Sequence, residues 1–161
     1  MDAAHKSWWQ IGEVVFGAPL LIAIALNFIM PLSSADFIFT STLLVIGVIL
    51  CVAGVIFIVT TRQVFSKYGQ PTDPGLPTSF IVTTSVFSIS RNPMYLGATC
   101  LLVGIALIFK LTWMFVLLIP TLIACYLILI KPEEQYLDAR FGREYQRYVA
   151  SVFRWIGRKP Q

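Results

Sequence analysis

The chain has 161 residues, 57% of them apolar and only 12% charged, with a net charge of +4. A mean hydropathy of +0.79 excludes an ordinary water-soluble domain, and a length near one domain leaves room for a single membrane unit. The small basic surplus suits a membrane surface and gives no sign of a nucleic-acid binder.

Val14 to Ala35 carries no charged side chain, and neither does Phe37 to Thr61. Crossing the ~30 Å hydrocarbon layer takes about 20 apolar residues, and a helix satisfies every backbone polar group within one segment. Transmembrane helices are therefore expected at about 14–31 and 37–60. Ser33-Ser34-Ala35 would suit a signal-peptide cleavage site, but the leader sets Asp2 and Glu13 against Lys6 alone and the apolar stretch is long for a signal core. The first helix is read as retained, with a kink at Pro19.

Residues 62–93 are expected to form a cytoplasmic loop. Its stretch "PTSFIVTTSVFSIS" is too apolar for water and should lie on or dip into the membrane surface. Two further spans follow at about 94–109 and 111–130, with Lys110 at the tip of a tight hairpin. The third is short, but Arg91 and Lys110 at its ends can extend to the two interfaces. Pro120 should kink the fourth. Gly47 and Gly54, like Gly97 and Gly104, are seven residues apart. Two helical turns separate each pair, so each makes a smooth face for a neighbouring helix. In the tail, 131–161, Pro132 suits a first helical position, and Glu133 and Glu134 complement the helix dipole. Gly142 should interrupt that helix, with Arg143–Ser151 forming another.

The fold class expected is all-α: one integral membrane domain, 1–161, with four transmembrane helices, the last two a hairpin, and an amphipathic tail. Four spans put Lys6, Arg62, Lys67, Arg91, Lys131, Arg140, Arg143, Arg147, Arg154, Arg158 and Lys159 on one side and Lys110 alone on the other. Both termini are then cytoplasmic. Cys51, Cys100 and Cys125 are isolated and the single histidine, His5, is in the leader. No metal site is expected.

The hairpin returns Lys131–Glu134 to the face where Arg91–Tyr95 begins, so Arg91 can approach Glu133 and Glu134. Composition alone reads this as an interfacial ion pair. The spelling adds more. "SRNPMYLG", an apolar hairpin, then "EEQYLDARFGREYQRYVASVFRW" resembles the isoprenylcysteine carboxyl methyltransferase and phospholipid methyltransferase family. The family pattern is R-[HN]-P-x-Y-x-G, a hairpin, E-E-x-x-L-x-x-x-F-G-x-x-Y-x-x-Y and a closing V-x-R-W. The resemblance covers about residues 73–156. Asn92 stands where many members have histidine, Ser85-Val86-Phe87-Ser88 replaces Gly-Pro-[FY]-Arg, and Phe153 and Gly157 replace prolines.

The resemblance implies a membrane methyltransferase that uses S-adenosylmethionine in a cytoplasmic pocket and takes a lipophilic methyl acceptor from the bilayer. It implies catalytic roles for Arg91, Glu133 and Arg154, and a cofactor-binding set of Arg91, Asn92, Pro93, Tyr95, Leu96, Glu133, Glu134, Tyr145 and Tyr148. Arg91 can grip a carboxylate with two hydrogen bonds. Glu134 first, and Glu133 beside it, can accept from the cofactor's ammonium or ribose, and tyrosine faces attract its sulfonium. In-line methyl transfer is mainly alignment and desolvation. A carboxylate acceptor needs no base, whereas an amine must lose a proton. With no histidine near the motifs, the first choice of acceptor is a prenylcysteine-type carboxylate. A phospholipid amine or a thiol is the alternative, although Glu133 could act as a base. The rivals are a non-catalytic membrane scaffold of the same fold and a sterol reductase, the latter without a GxGxxG phosphate loop here. Oligomeric state is left open.

Overall fold

A computed structural model describes residues 12–32, 41–69 and 78–160. In chain order the helices are α1 (Gly12–Ile29), α2 (Ser41–Lys67), α3 (Pro93–Ile108), α4 (Thr112–Ala124), α5 (Lys131–Phe141) and α6 (Arg143–Ser151). A short 3-10 turn, Ser85–Ser88, precedes α3, and a π-helical stretch, Cys125–Ile130, joins α4 to α5. Three helices are long and apolar enough to cross a membrane: Gly12–Ile29, Ser41–Lys67 and the continuous rod Thr112–Phe141. Pro93–Ile108 is apolar but shorter.

Two boundaries differ from the sequence reading. First, α2 runs on through Arg62 to Lys67, so the expected loop at 62–93 begins later. Long basic side chains keep their heads in water while the helix continues. Second, Pro132 does stand in the first turn of α5, but α5 prolongs α4 across the π turn and is not a separate helix. Proline has no N–H and its ring clashes with the carbonyl four residues back. The π turn opens the backbone just ahead of it, and the Lys131 N–H reaches back five residues to the Tyr126 carbonyl.

α2 and α3 pack closely along their length through the two glycine pairs. A Cβ added to Gly54 would lie 2.7 Å from the Gly97 carbonyl oxygen, and one on Gly104 2.7 Å from that of Gly47. Backbone meets backbone there. α1 packs on α4, and a core gathers Val15, Phe16 and Ala23 with Leu102, Ala106, Met114, Cys125 and Leu129. The α3–α4 turn is tight as expected, with Lys110 at φ +55° and Leu111 N–H bonded to the Ala106 carbonyl at 2.9 Å.

A second cluster positions the site. Val82, Val86 and Phe87, from the apolar stretch ahead of α3, are buried against Tyr145, Tyr148 and Val152. Phe65 and Val64 of α2 and Leu137 and Phe141 of α5 close around them. The apolar lead-in is covered by the tail, because α6 presents two tyrosines three residues apart on one face.

Candidate active site

Arg91 sits at the turn into α3, where the chain's last residues clamp the backbone. Arg91 N–H donates to the Phe153 carbonyl at 3.2 Å, and Gly157 N–H to that of Ile89 at 2.7 Å. Ser90 Oγ and Asn92 Nδ2 both donate to the Arg154 carbonyl, at 3.3 and 3.2 Å. Phe153 N–H closes the strap on the Gly157 carbonyl at 2.9 Å, and Gly157 takes φ +109°. Proline could make neither of these N–H bonds. The two positions that depart from the family's prolines are therefore both used as donors.

The two glutamates divide their work, since consecutive helical residues point about 100° apart. Glu134 turns to the arginines. Its Oε1 lies 2.9 Å from Arg91 Nη1, and Arg154 grips it through Nε to Oε1 at 2.9 Å and Nη2 to Oε2 at 2.8 Å. The Arg154 guanidinium also lies 5.0 Å from the Tyr126 ring centre, a cation–π distance. Two cations share one carboxylate. Arg91 is 8% exposed, and its Nε is buried with no partner among the described residues.

Glu133 turns the other way. The Tyr95 hydroxyl donates to its Oε2 at 3.2 Å, and the Tyr95 ring stacks on Phe16 at 6.4 Å. Just beyond the apolar run that ends at Ile130, Glu133 is pushed up to about 7 by burial, with the Tyr95 bond opposing and Glu134 adding to the rise. No lysine or arginine pairs with it among the described residues.

Gly142, at φ +50° and ψ −117°, adopts a conformation that favours glycine and swings α6 back over the site. Tyr145 OH accepts from Arg91 Nη1 at 3.3 Å; burial pushes its phenol up to about 12, so it stays protonated. Tyr148 donates to the Phe87 carbonyl at 2.7 Å, and burial raises its phenol too. That hydroxyl is committed to holding the lead-in.

Between these elements lies a narrow, partly open cleft of about 60 Å³. Of the residues expected at the site, Arg91, Asn92, Glu133, Glu134, Tyr145 and Tyr148 line it. Pro93 is fully buried in the first turn of α3, and neither it nor Leu96 reaches the cleft. Tyr95 and Arg154 act from behind, through Glu133 and Glu134. Sequence reasoning missed Phe65, which lines the cleft from α2. The run Phe57, Thr61, Val64, Phe65 keeps helical spacing past Arg62 and is the signal that could have found it. Among the described residues no three His, Cys, Asp or Glu side chains come together to hold a metal ion.

The donor set fits S-adenosylmethionine. An arginine with an unused Nε suits a carboxylate, and Phe65, Phe80, Phe87 and Tyr145 offer faces to adenine and sulfonium.

A model of the phospholipid methyltransferase family matches residues 42–144, from α2 through the hairpin to the first turn of α6. No curated protein and no solved structure matches the chain.

Proposed function

The chain belongs to the phospholipid methyltransferase family, a family of membrane methyltransferases, and from that premise we propose that it moves a methyl group from S-adenosylmethionine to a lipophilic acceptor at the cytoplasmic membrane face. The observation that carries this is the cleft at the helix ends, with one arginine donor and one carboxylate left over between aromatic walls. In this reading α3 is the fourth membrane-crossing helix and both termini are cytoplasmic, in line with the arginine and lysine distribution.

When bound, S-adenosylmethionine supplies a methyl group on a sulfonium sulfur. Arg91, held by Glu134 and Tyr145, receives the carboxylate. Phe65 and Phe87, whose rings stack on each other at 5.2 Å, would form one aromatic wall beside adenine and keep water from the reacting atoms. Glu134 and Arg154 hold Arg91 in place and need touch nothing else. The acceptor's reactive atom lies at headgroup level, because the cleft opens where the charge-free helical runs end.

The preference for a prenylcysteine-type carboxylate rests on the lack of a histidine base. That reason loses its force where Glu133 lines the cleft, and a phospholipid amine becomes the better-supported acceptor. Two measurements test the function. S-adenosylhomocysteine, and not NADPH, should raise the unfolding temperature of the purified full chain. Labelled methyl should pass from S-adenosylmethionine to phosphatidylethanolamine when that lipid is offered beside farnesylcysteine and alkyl thiols. An absence of any thermal shift at millimolar ligand would favour the scaffold.

A further inference from the structure

Adjacent carboxylates with opposite environments are a means of assigning separate tasks. Both oxygens of Glu134 are held by arginine. Glu133 receives one hydrogen bond, from Tyr95 to Oε2, and its Oε1 has no partner among the described residues. Tyr95 is itself fixed, its ring stacked on Phe16 of α1. The groups that face this pair are Glu13 of α1, Cys125 of the π turn, Glu134 of α5, and Tyr145 of α6, with Arg91 lining the same cleft. None except Arg91 brings a positive charge, and Arg91 is engaged with Glu134.

We propose that Glu133, positioned by Tyr95, is the proton acceptor of the transfer, serving an acceptor whose nucleophilic atom arrives carrying a proton. This rests on the methyltransferase reading above. A half-buried carboxylate without a counter-cation gains by taking up a proton, and Tyr95 occupies Oε2, which leaves Oε1 free on a residue that lines the cleft. In the step, the N–H bond of an amine headgroup breaks and its electron pair stays on nitrogen. The proton forms an O–H bond to Glu133, and the freed nitrogen pair forms the bond to the methyl carbon as the carbon–sulfur bond breaks with its pair left on sulfur. Glu133 then returns the proton to water before the next turnover.

The test uses the full chain with phosphatidylethanolamine in mixed micelles and S-adenosylhomocysteine as the binding probe. Glu133→Gln should lower kcat by about 100-fold or more, the scale of a lost general base, with S-adenosylhomocysteine affinity little changed. Tyr95→Phe, a milder change, should move the acid limb of the kcat/KM profile to higher pH, because the Tyr95 bond favours the ionised form of Glu133. The proposal is overturned if Glu133→Gln loses ligand binding in step with turnover, which would make Glu133 a cofactor ligand. It is also overturned if the acid limb stays put in Tyr95→Phe, or if the parent turns over farnesylcysteine and no amine. Failure of the parent to bind S-adenosylhomocysteine would instead count against the methyltransferase reading itself.

Discussion

Arg154 holds both carboxylate oxygens of Glu134, at 2.9 and 2.8 Å, across twenty residues of sequence. The bond ties the strap at the end of the chain to the rod that ends the bundle, and Arg91 meets the same carboxylate from the third side. Arg91 is therefore placed by a residue that lies after it in sequence and does not itself line the cleft. Arg154→Ala should weaken S-adenosylhomocysteine binding in calorimetry while leaving a folded protein, since Arg154 is 37% exposed and its loss uncovers little. Glu134→Ala should be worse, leaving Arg91 without its counter-charge at 8% exposure. Breaking a buried pair in this way costs about 3 kcal/mol or more, measurable as a lower unfolding midpoint.

Glu133 makes stability depend on pH in a defined direction. Its folded value, about 7, lies above the ordinary 4.5, so the folded state holds this proton more tightly than the unfolded chain. The resulting stability is fully present below about 4.5 and is lost as pH rises through about 7. A shift of this size corresponds to a penalty on the order of 3 kcal/mol once Glu133 is ionised. Glu133→Gln should therefore melt above the parent at pH 8, with the gap closing towards pH 4.5. A gap that widens on acidification would contradict the assignment.

The glycine pairs should tolerate nothing larger. Gly54→Val or Gly97→Val places side-chain atoms where carbonyl oxygens of the other helix already lie within 2.7 and 2.8 Å of an added Cβ. Both variants should expose α2 and α3 to proteolysis in detergent. Gly17→Ala is the control, because nothing lies within 4 Å of its added Cβ. Replacing a helical glycine by alanine should stabilise it by about 0.5–1 kcal/mol.

Restoring the family's prolines should harm this chain. Phe153→Pro removes the donor to Gly157, and Gly157→Pro removes the donor to Ile89 and demands a negative φ where the backbone has +109°. Each should release the strap and lower S-adenosylhomocysteine affinity, with Gly157→Pro the more damaging. Hydrogen exchange at the Arg91 amide, which donates to Phe153, reads the release directly.

Sidedness can be checked by thiol labelling in a variant stripped of Cys51, Cys100 and Cys125. A cysteine at Lys110 and one at exposed Glu144 should be labelled from opposite faces of the membrane, the second from the cytoplasm. The reverse pattern would remove the site from the compartment of its proposed cofactor.

Local chemistry made much of this protein legible in its sequence. Absence of charge over helical lengths marked the apolar rods, because lipid accepts few other forms. Seven-residue spacing marked the glycine faces, since two turns bring residues to one side of a helix. Gly142 announced its turn, and the order of Arg91, the hairpin and the two glutamates announced that they would meet. What sequence could not supply was the partition among neighbours. Glu133 and Glu134 are the same residue type one position apart, and only the packed structure sends one to two arginines and the other to a tyrosine. The same holds for Pro132, whose meaning depended on a π turn ahead of it, and for Val82, Val86 and Phe87, which face α6 when they could have faced lipid. Hydrophobicity states that a residue leaves water; it has no direction. Direction comes from which surfaces remain uncovered once the helices have packed, and that is a property of the whole assembly of helices.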